Sequence, residues 1–286
     1  MFVDGRISLR THAKRDIVRQ VQALFNDGAP GERPVVRSDN ALFAPDSVVW
    51  RVHGDLTTMM IGGVCALLLQ MLNPAVLAGV WDHSNFRTDL IGRLRRTARF
   101  IATTTYGERA DAMAAIARVR DVHRRIAGTR RDGTPYRADD PALLAWVHLT
   151  EAWSFLAAWQ RHGSGRLSPA QQDRYYSDFA AIGTMLGADG VPHDRNAAIA
   201  ALSLMRPQLV ADDRTRDVAR LVLGHLPANP LAIPLQRVTT QASVDLLPDW
   251  ARRMHGLRAT SPLMRPLLGM STLGVARTLR WAFAAV

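Results

Sequence analysis

The chain has 286 residues, 48% of them hydrophobic, and a formal net charge of +11. This size and apolar content allow one large domain with a sizeable core. Lys14 is the only lysine, so 35 of the 36 basic residues are arginines, and they are spread along the sequence. That pattern argues against a nucleic-acid-binding surface. Cys65 is the only cysteine, which excludes an internal disulfide. The charged N-terminal residues 1–16 lack the apolar run of a secretory signal, so we expect a soluble cytoplasmic protein.

A charge-free run over residues 56–81 is the most apolar part of the chain. About 20 apolar residues are enough to cross a bilayer, so a membrane span is one interpretation of this run. The Asn73-Pro74 pair divides it, because the residue before proline is disfavoured in helical backbone. We therefore expect a buried core helix that ends near Leu72. Cys65, which lies within this helix, is expected to be a core residue rather than a nucleophile.

Periodicity and capping residues predict the remaining elements. The predicted helices cover residues 7–25, 74–80, 90–105, 109–127, 141–160 and 169–186, with further helices starting near residues 197, 214, 243 and 271. Asp140 before Pro141 and Ser168 before Pro169 are strong start signals, because each places a capping side chain before a proline in the first turn. No segment alternates as a strand would. The sequence therefore predicts an all-α, single globular multi-helix domain over residues 1–286.

The predicted helix over residues 90–105 carries an unusual polar set. Arg93, Arg96 and Thr97 have the spacing i, i+3, i+4, which places them on one helix face at the edge of an apolar stripe. One interpretation is that both guanidinium groups reach solvent along their apolar stems. The other is that an anion pairs with them, because burial of an unpaired arginine is costly.

Two histidines lie on the predicted inner faces of the next two helices. His123 shares its face with apolar residues, and His148 lies one turn before Glu151. A lone core histidine is most often structural. Two of them beside arginines and threonines can instead form a buried polar pocket, in which imidazole ligates iron and arginine pairs with haem carboxylates. A non-haem di-iron site is disfavoured because no Glu-x-x-His motif occurs.

Six short segments occur in a suggestive order: PDSVVWRVHGD, DHSNF, GRLRRT, VHRRIAG, DDPALLAWVHLT and LSPAQQDRYY. Together they resemble the oxygenase MpaB family, whose catalytic domain is shared with the latex-clearing rubber oxygenases. The resemblance covers about residues 46–193 and leaves C-terminal helices over residues 197–286. It implies a globin-like core holding haem b (iron), and an oxygenase that uses O2 on an apolar, isoprenoid or lipid-like small molecule. Cleavage of a carbon–carbon double bond is the reaction that it suggests.

The resemblance also implies roles for individual residues. His123 becomes the proximal iron ligand. Five residues are expected to lie at the haem or line its distal pocket: Arg93, Arg96, Thr97, His148 and Thr150. Of these, Arg96, Thr97 and His148 are expected to be catalytic. Arg120 and Arg124 flank His123 in sequence, and their spacing suggests that one of them pairs with a haem propionate.

The sequence departs from the rubber-cleaving members at several points. They can place a lysine where Arg96 stands, and an arginine stays protonated and cannot ligate iron. They use a glutamate upstream of the arginine motif, whereas no glutamate occurs between Glu32 and Glu108. They are also secreted. Two alternatives therefore stay open: a non-catalytic haem-binding or structural helical protein, and a peripheral membrane protein that contacts lipid through the C-terminal segment RPLLGMSTLGVARTLRWAFAAV. That segment could equally be a terminal helix packed on the core.

Overall fold

The computed structural model describes residues 34–225 and 230–283, together with the isolated positions 12, 14, 15 and 18. The predicted helix over residues 7–25 lies almost wholly outside the described residues. Twelve α-helices and one two-stranded hairpin form the described part, which confirms the all-α class. The helices are α1 (Val48–His53), α2 (Leu56–Gln70), α3 (Pro74–His83), α4 (Leu90–Tyr106), α5 (Arg109–Arg125), α6 (Pro141–His162), α7 (Pro169–Leu186), α8 (Arg195–Met205), α9 (Asp213–Gly224), α10 (Ile233–Leu246), α11 (Asp249–Met254) and α12 (Arg265–Phe283).

The helices α2 and α6 form the centre of the fold, and α10 packs against α2 beside them. Gly62 of α2 allows the close approach, because a Cβ atom there would lie 2.8 Å from the Phe155 ring of α6. From the sequence, we predicted an inward-facing histidine on each of two consecutive helices. Only His148, on α6, lies in that central pair, whereas His123 lies on α5, which packs against α4 and α7.

The apolar run is confirmed as a core helix. The side chain of Asp55 caps the start of α2, and the helix ends at Gln70, just before the Asn73-Pro74 pair that caps and begins α3. Cys65 is completely buried. None of the described helices is by itself long and apolar enough to cross a bilayer; α2 and α3 reach the required length only as a pair bent by 104°.

The predicted helix starts agree best with the structure where a capping side chain precedes a proline. Asp140 and Ser168 cap α6 and α7 as expected, and Ser168 forms a reciprocal capping box with Gln171. Several predictions were wrong. The helices expected from residues 243 and 271 start earlier, at Ile233 and Arg265. A short antiparallel hairpin of β1 (Ala127–Thr129) and β2 (Pro135–Arg137) was missed, because three-residue strands are too short to show alternation.

Candidate functional site

The helices α4 and α5 form a pair joined by only two residues, Gly107 and Glu108. At a rise of about 1.5 Å per residue, Arg93 and His123 each lie about 20 Å along their helices from this shared connection. Both therefore belong to the free end of the α4–α5 pair, which we define as the part farthest from the connection. Near the connection Ile101 and Thr104 are buried, and farther along α4 Arg96 and Thr97 are exposed, whereas Leu90 at its first turn is buried again.

His123 is partly buried at this free end and has unused hydrogen-bonding capacity. Its Nδ1 atom is buried with no hydrogen-bond partner among the described residues. Burial lowers the pKa of His123, and the nearby Asp139 carboxylate opposes that shift. The imidazole is therefore neutral near pH 7, which is the form that binds iron. Buried polar atoms without a partner are rare in folded proteins.

Arg93 is also partly buried, and no described residue gives it a hydrogen bond or ion pair. Burial lowers the pKa of Arg93, and repulsion from Arg96 lowers it further. The guanidinium nevertheless stays charged at neutral pH. A partly buried cation without a counter-ion is unfavourable, so this position is suited to an anion.

Arg96 and Thr97 lie nearer to the surface than Arg93. The side chain of Arg96 is 58% exposed and donates to the Asp89 carboxylate at 3.3 Å and to the Asn85 side-chain oxygen at 3.1 Å. Thr97 is exposed, and its hydroxyl donates to the Arg93 carbonyl within α4 at 3.3 Å. Both groups are engaged locally in this structure, and they border the free end rather than a closed pocket.

The two arginines that flank His123 differ in position. Both are exposed. Arg120 precedes His123 by three residues and so shares its side of α5, whereas the adjacent Arg124 points about 100° away. Arg124 also pairs with Asp121. Of the two, Arg120 is better placed to reach an anion held beside His123.

The residues predicted on α6 lie in the interior. His148 is 4% exposed and packs against Phe179 of α7, with ring centroids 4.6 Å apart. Burial lowers the pKa of His148 to about 4. Thr150 is completely buried, and its hydroxyl donates to the Val147 carbonyl at 2.8 Å. Among the described residues, no hydrogen bond or ring contact joins this pair to His123.

Another buried histidine was missed in the sequence. His53, at the end of α1, forms hydrogen bonds to the Thr105 hydroxyl at 2.8 Å and to the Tyr175 hydroxyl at 3.1 Å. Burial, followed by the proximity of His148, lowers its pKa to about 3. The segment PDSVVWRVHGD contains this histidine, but a six-residue helix is too short for periodicity to reveal its buried side.

Glu151 completes the buried polar groups around α6. Burial raises its pKa to about 7, and a hydrogen bond to Gln70 opposes that rise. No group of three or more histidine, cysteine or acidic side chains in the described residues is arranged to hold a metal ion. The structure thus separates the predicted residues into two sets. The free end of the α4–α5 pair carries His123 with the arginines and Thr97, and the interior of α6 carries His148 and Thr150.

A shallow cavity of about 260 Å³ lies elsewhere on the surface. Its lining includes Trp153, Leu202, Arg206 and Trp250, and none of the predicted site residues. It therefore does not mark the predicted site.

Comparison with known proteins gives one match. The family model described as "ER-bound oxygenase mpaB/B'/Rubber oxygenase, catalytic domain" matches residues 50–282. The match extends through the C-terminal helices, beyond the residues 46–193 that carried the resemblance in the sequence. No curated protein and no solved structure matches the chain.

Proposed function

The chain belongs to the mpaB/B' and rubber oxygenase catalytic-domain family, and we propose that it is a haem-b-dependent oxygenase acting on an apolar small molecule. The family is an oxygenase catalytic domain, which supports oxygenase activity in general terms. Haem, the iron ligand and the substrate class are the finer parts of the proposal. Haem and its iron ligand are supported by the side chains at the free end of the α4–α5 pair, and the substrate class is supported by the family.

One observation carries the proposal: the partly buried imidazole of His123 has a buried nitrogen without a partner. Neutral histidine is a common protein ligand of haem iron, so His123 would hold the iron of a bound haem. The uncompensated Arg93, at a similar distance along the partner helix, suits a propionate carboxylate. An orphaned ligand atom and an unpaired cation at the same end of a helix pair fit haem b.

Haem bound there would supply the binding and activation of dioxygen. The neutral imidazole of His123 would hold the iron. Arg93 and Arg120 would pair with the propionates and orient the group. Arg96 and Thr97 border the same end and would donate hydrogen bonds toward oxygen atoms there, after Arg96 leaves Asp89. The apolar residues of α4 would exclude water from the bound substrate.

We propose an isoprenoid or another lipid-like compound with a carbon–carbon double bond as the substrate. Oxidative cleavage places both atoms of O2 in the two carbonyl products, so it consumes no external reductant. This substrate class follows from the family, which includes the rubber oxygenases. His148 and Thr150 would act indirectly in this scheme, since both lie inside the helical core and support the packing of α6 against α7.

A haem-binding protein without turnover is the second candidate. It is favoured by the exposure of Thr97 and the pairing of Arg96 with Asp89 and Asn85, because neither group is held ready for a distal ligand. Oxygen consumption separates the two candidates. An oxygenase consumes O2 when an unsaturated isoprenoid is added, whereas a carrier binds haem and consumes none.

The decisive experiment is a visible spectrum of the full chain purified from haem-supplemented cells. We expect a Soret band that is lost in His123→Ala and retained in the matched control His193→Ala, which removes an exposed histidine. His148→Ala is a second comparison, because it removes the other predicted histidine. Circular dichroism checks that each variant stays helical. A helical but colourless wild type, or a band that survives in His123→Ala, would refute haem ligation by His123.

A further inference from the structure

An apolar stripe lies exposed on the first half of α12 and the turn before it. Leu263, Leu267, Met270 and Leu273 are 88%, 51%, 63% and 41% exposed. Their spacing of three or four residues places them on one side of α12 and of the turn that leads into it. Most large apolar side chains of the described residues are buried in the core, so this stripe is an unusual exposed apolar surface in the described part of the chain.

The opposite side of α12 is fixed to the core. Thr272, Ala276 and Leu279 are buried there. Arg280 donates to the Asp55 carboxylate at 2.5 Å and to the His162 carbonyl at 2.8 Å, which ties the helix to α2 and α6. The helix cannot rotate the exposed stripe inward without breaking these contacts and exposing the buried side. The stripe therefore faces outward as part of the fold.

The charge of the same region has one sign. Residues 250–283 contain six arginines and no acidic residue. Arg280 pairs with Asp55, and Arg252 with Asp249. No carboxylate among the described residues pairs with the others, which are Arg253, Arg258, Arg265 and Arg277. The exposed surface around α12 is thus both apolar and cationic.

We propose that this α12 surface, consisting of residues 263–277, docks on an anionic lipid bilayer, with Arg253 and Arg258 adding positive charge shortly before it in the chain. An amphipathic helix with an apolar face and flanking arginines binds in the plane of the interface, through burial of its apolar side chains and attraction to anionic headgroups. The inference is independent of the proposed oxygenase chemistry. It requires only the geometry and charge of α12.

A second copy of the chain is the other obvious occupant, and the charge argues against it. A two-fold interface would place the same surface of each copy opposite itself. The unpaired arginines of both copies would then approach each other without acidic residues to compensate them. An anionic bilayer satisfies both properties of the surface, because it accepts the apolar side chains and attracts the guanidinium groups.

The test is flotation of the full chain with two kinds of vesicle. One kind contains phosphatidylcholine alone, and the other contains in addition about 30% phosphatidylglycerol, which supplies the anionic surface. The variant Leu267→Gln/Met270→Gln/Leu273→Gln removes apolar area from the stripe. The matched control, Ile199→Gln/Leu204→Gln/Val210→Gln, changes three exposed apolar residues away from α12, at 59%, 76% and 52% exposure. Circular dichroism confirms that all three proteins are folded.

We expect the wild type and the control to float with the anionic vesicles, and the α12 variant to bind them at least tenfold more weakly. Binding should also fall as salt is raised from about 0.1 M to about 0.5 M, because the electrostatic attraction is screened. Absence of wild-type binding, equal binding to neutral vesicles, or unchanged binding by the α12 variant would overturn the proposal. The proposal would also be overturned if the wild type does not float but self-associates, and the α12 variant abolishes that self-association.

Discussion

Mild acid is expected to destabilise the protein through its buried histidines, three of which have strongly lowered pKa values. Burial is the main cause that lowers the pKa of His53 to about 3 and those of His148 and His162 to about 4, from an ordinary value of 6.5. In the unfolded chain these imidazoles take up protons near pH 6.5, whereas in the folded protein they stay neutral to much lower pH. The unfolded state then binds more protons, so stability is lost as pH falls from about 6.5 toward 4.

The magnitude follows from these pKa values. Between about pH 6.5 and pH 5, each histidine lowers the free energy of unfolding by about 1.6 kcal/mol, or about 5 kcal/mol for the three. Glu151 acts in the opposite direction. Because its pKa is raised to about 7 from 4.5, the folded protein binds its proton first, which adds about 1.7 kcal/mol over the same interval. The net loss is about 3 kcal/mol, a large part of the 5–15 kcal/mol that is typical of native proteins.

Urea unfolding at both pH values, followed by tryptophan fluorescence, measures this difference. His162→Met should reduce the net loss by about 1.6 kcal/mol, because one titrating imidazole is gone. This position suits the substitution, since the buried Nε2 atom of His162 has no hydrogen-bond partner in the described part of the chain. Replacement of the exposed His193 by Met is the control and should leave the pH difference unchanged. Greater stability at pH 5 than at pH 6.5, or an equal pH difference in His162→Met, would refute the reasoning.

Two further predictions concern packing and the attachment of α12. Gly183→Ala should cost about 1–3 kcal/mol in urea unfolding, because its Cβ atom would lie 2.9 Å from a buried histidine ring of α6. Gly224→Ala, with no atom within 4 Å of its Cβ position, is the control and should be neutral or slightly stabilising. Arg280→Met should cost about 2–3 kcal/mol, because it leaves the buried Asp55 carboxylate without its cation. Arg216→Met, at an exposed ion pair, should cost less than about 1 kcal/mol. Equal losses of unfolding free energy in Arg280→Met and Arg216→Met would contradict the importance of burial.

The sequence predicted the helices well where local chemistry defines their ends. A side-chain cap followed by proline specifies the first turn by itself, so Asp140 and Ser168 identified the starts of α6 and α7 correctly. The start of α10 was not predicted, because its first residue follows a 3-10 turn at Pro230–Ala232 and no side chain caps it. Pro234 in its first turn is a weaker start signal than the combination of cap and proline at α6 and α7.

Helical periodicity was less reliable for the candidate site. It correctly placed Arg93, Arg96 and Thr97 on one face, and it placed His148 in the buried stripe of α6. It could not show that the face of α4 changes from buried near Thr104 to exposed near Thr97, because periodicity gives a direction around the helix axis and not the depth of packing along it. The network of His53, Thr105 and Tyr175 was missed for a related reason. Its members come from three different helices, and only the tertiary fold brings them together.

The electrostatics of the two sets of polar residues also limit what each can contribute to oxygen chemistry. His148, with a pKa near 4, is neutral at physiological pH, so it can form a hydrogen bond but cannot supply a positive charge. Arginine stays charged even when burial lowers its pKa, as at Arg93. In the proposed oxygenase, positive charge that polarises oxygen or pairs with an anionic group would therefore come from the arginines at the free end of the α4–α5 pair. We expect the interior histidines instead to make the packing of α6 and α7 sensitive to acid. The residues that set this stability are then different from those proposed to support catalysis.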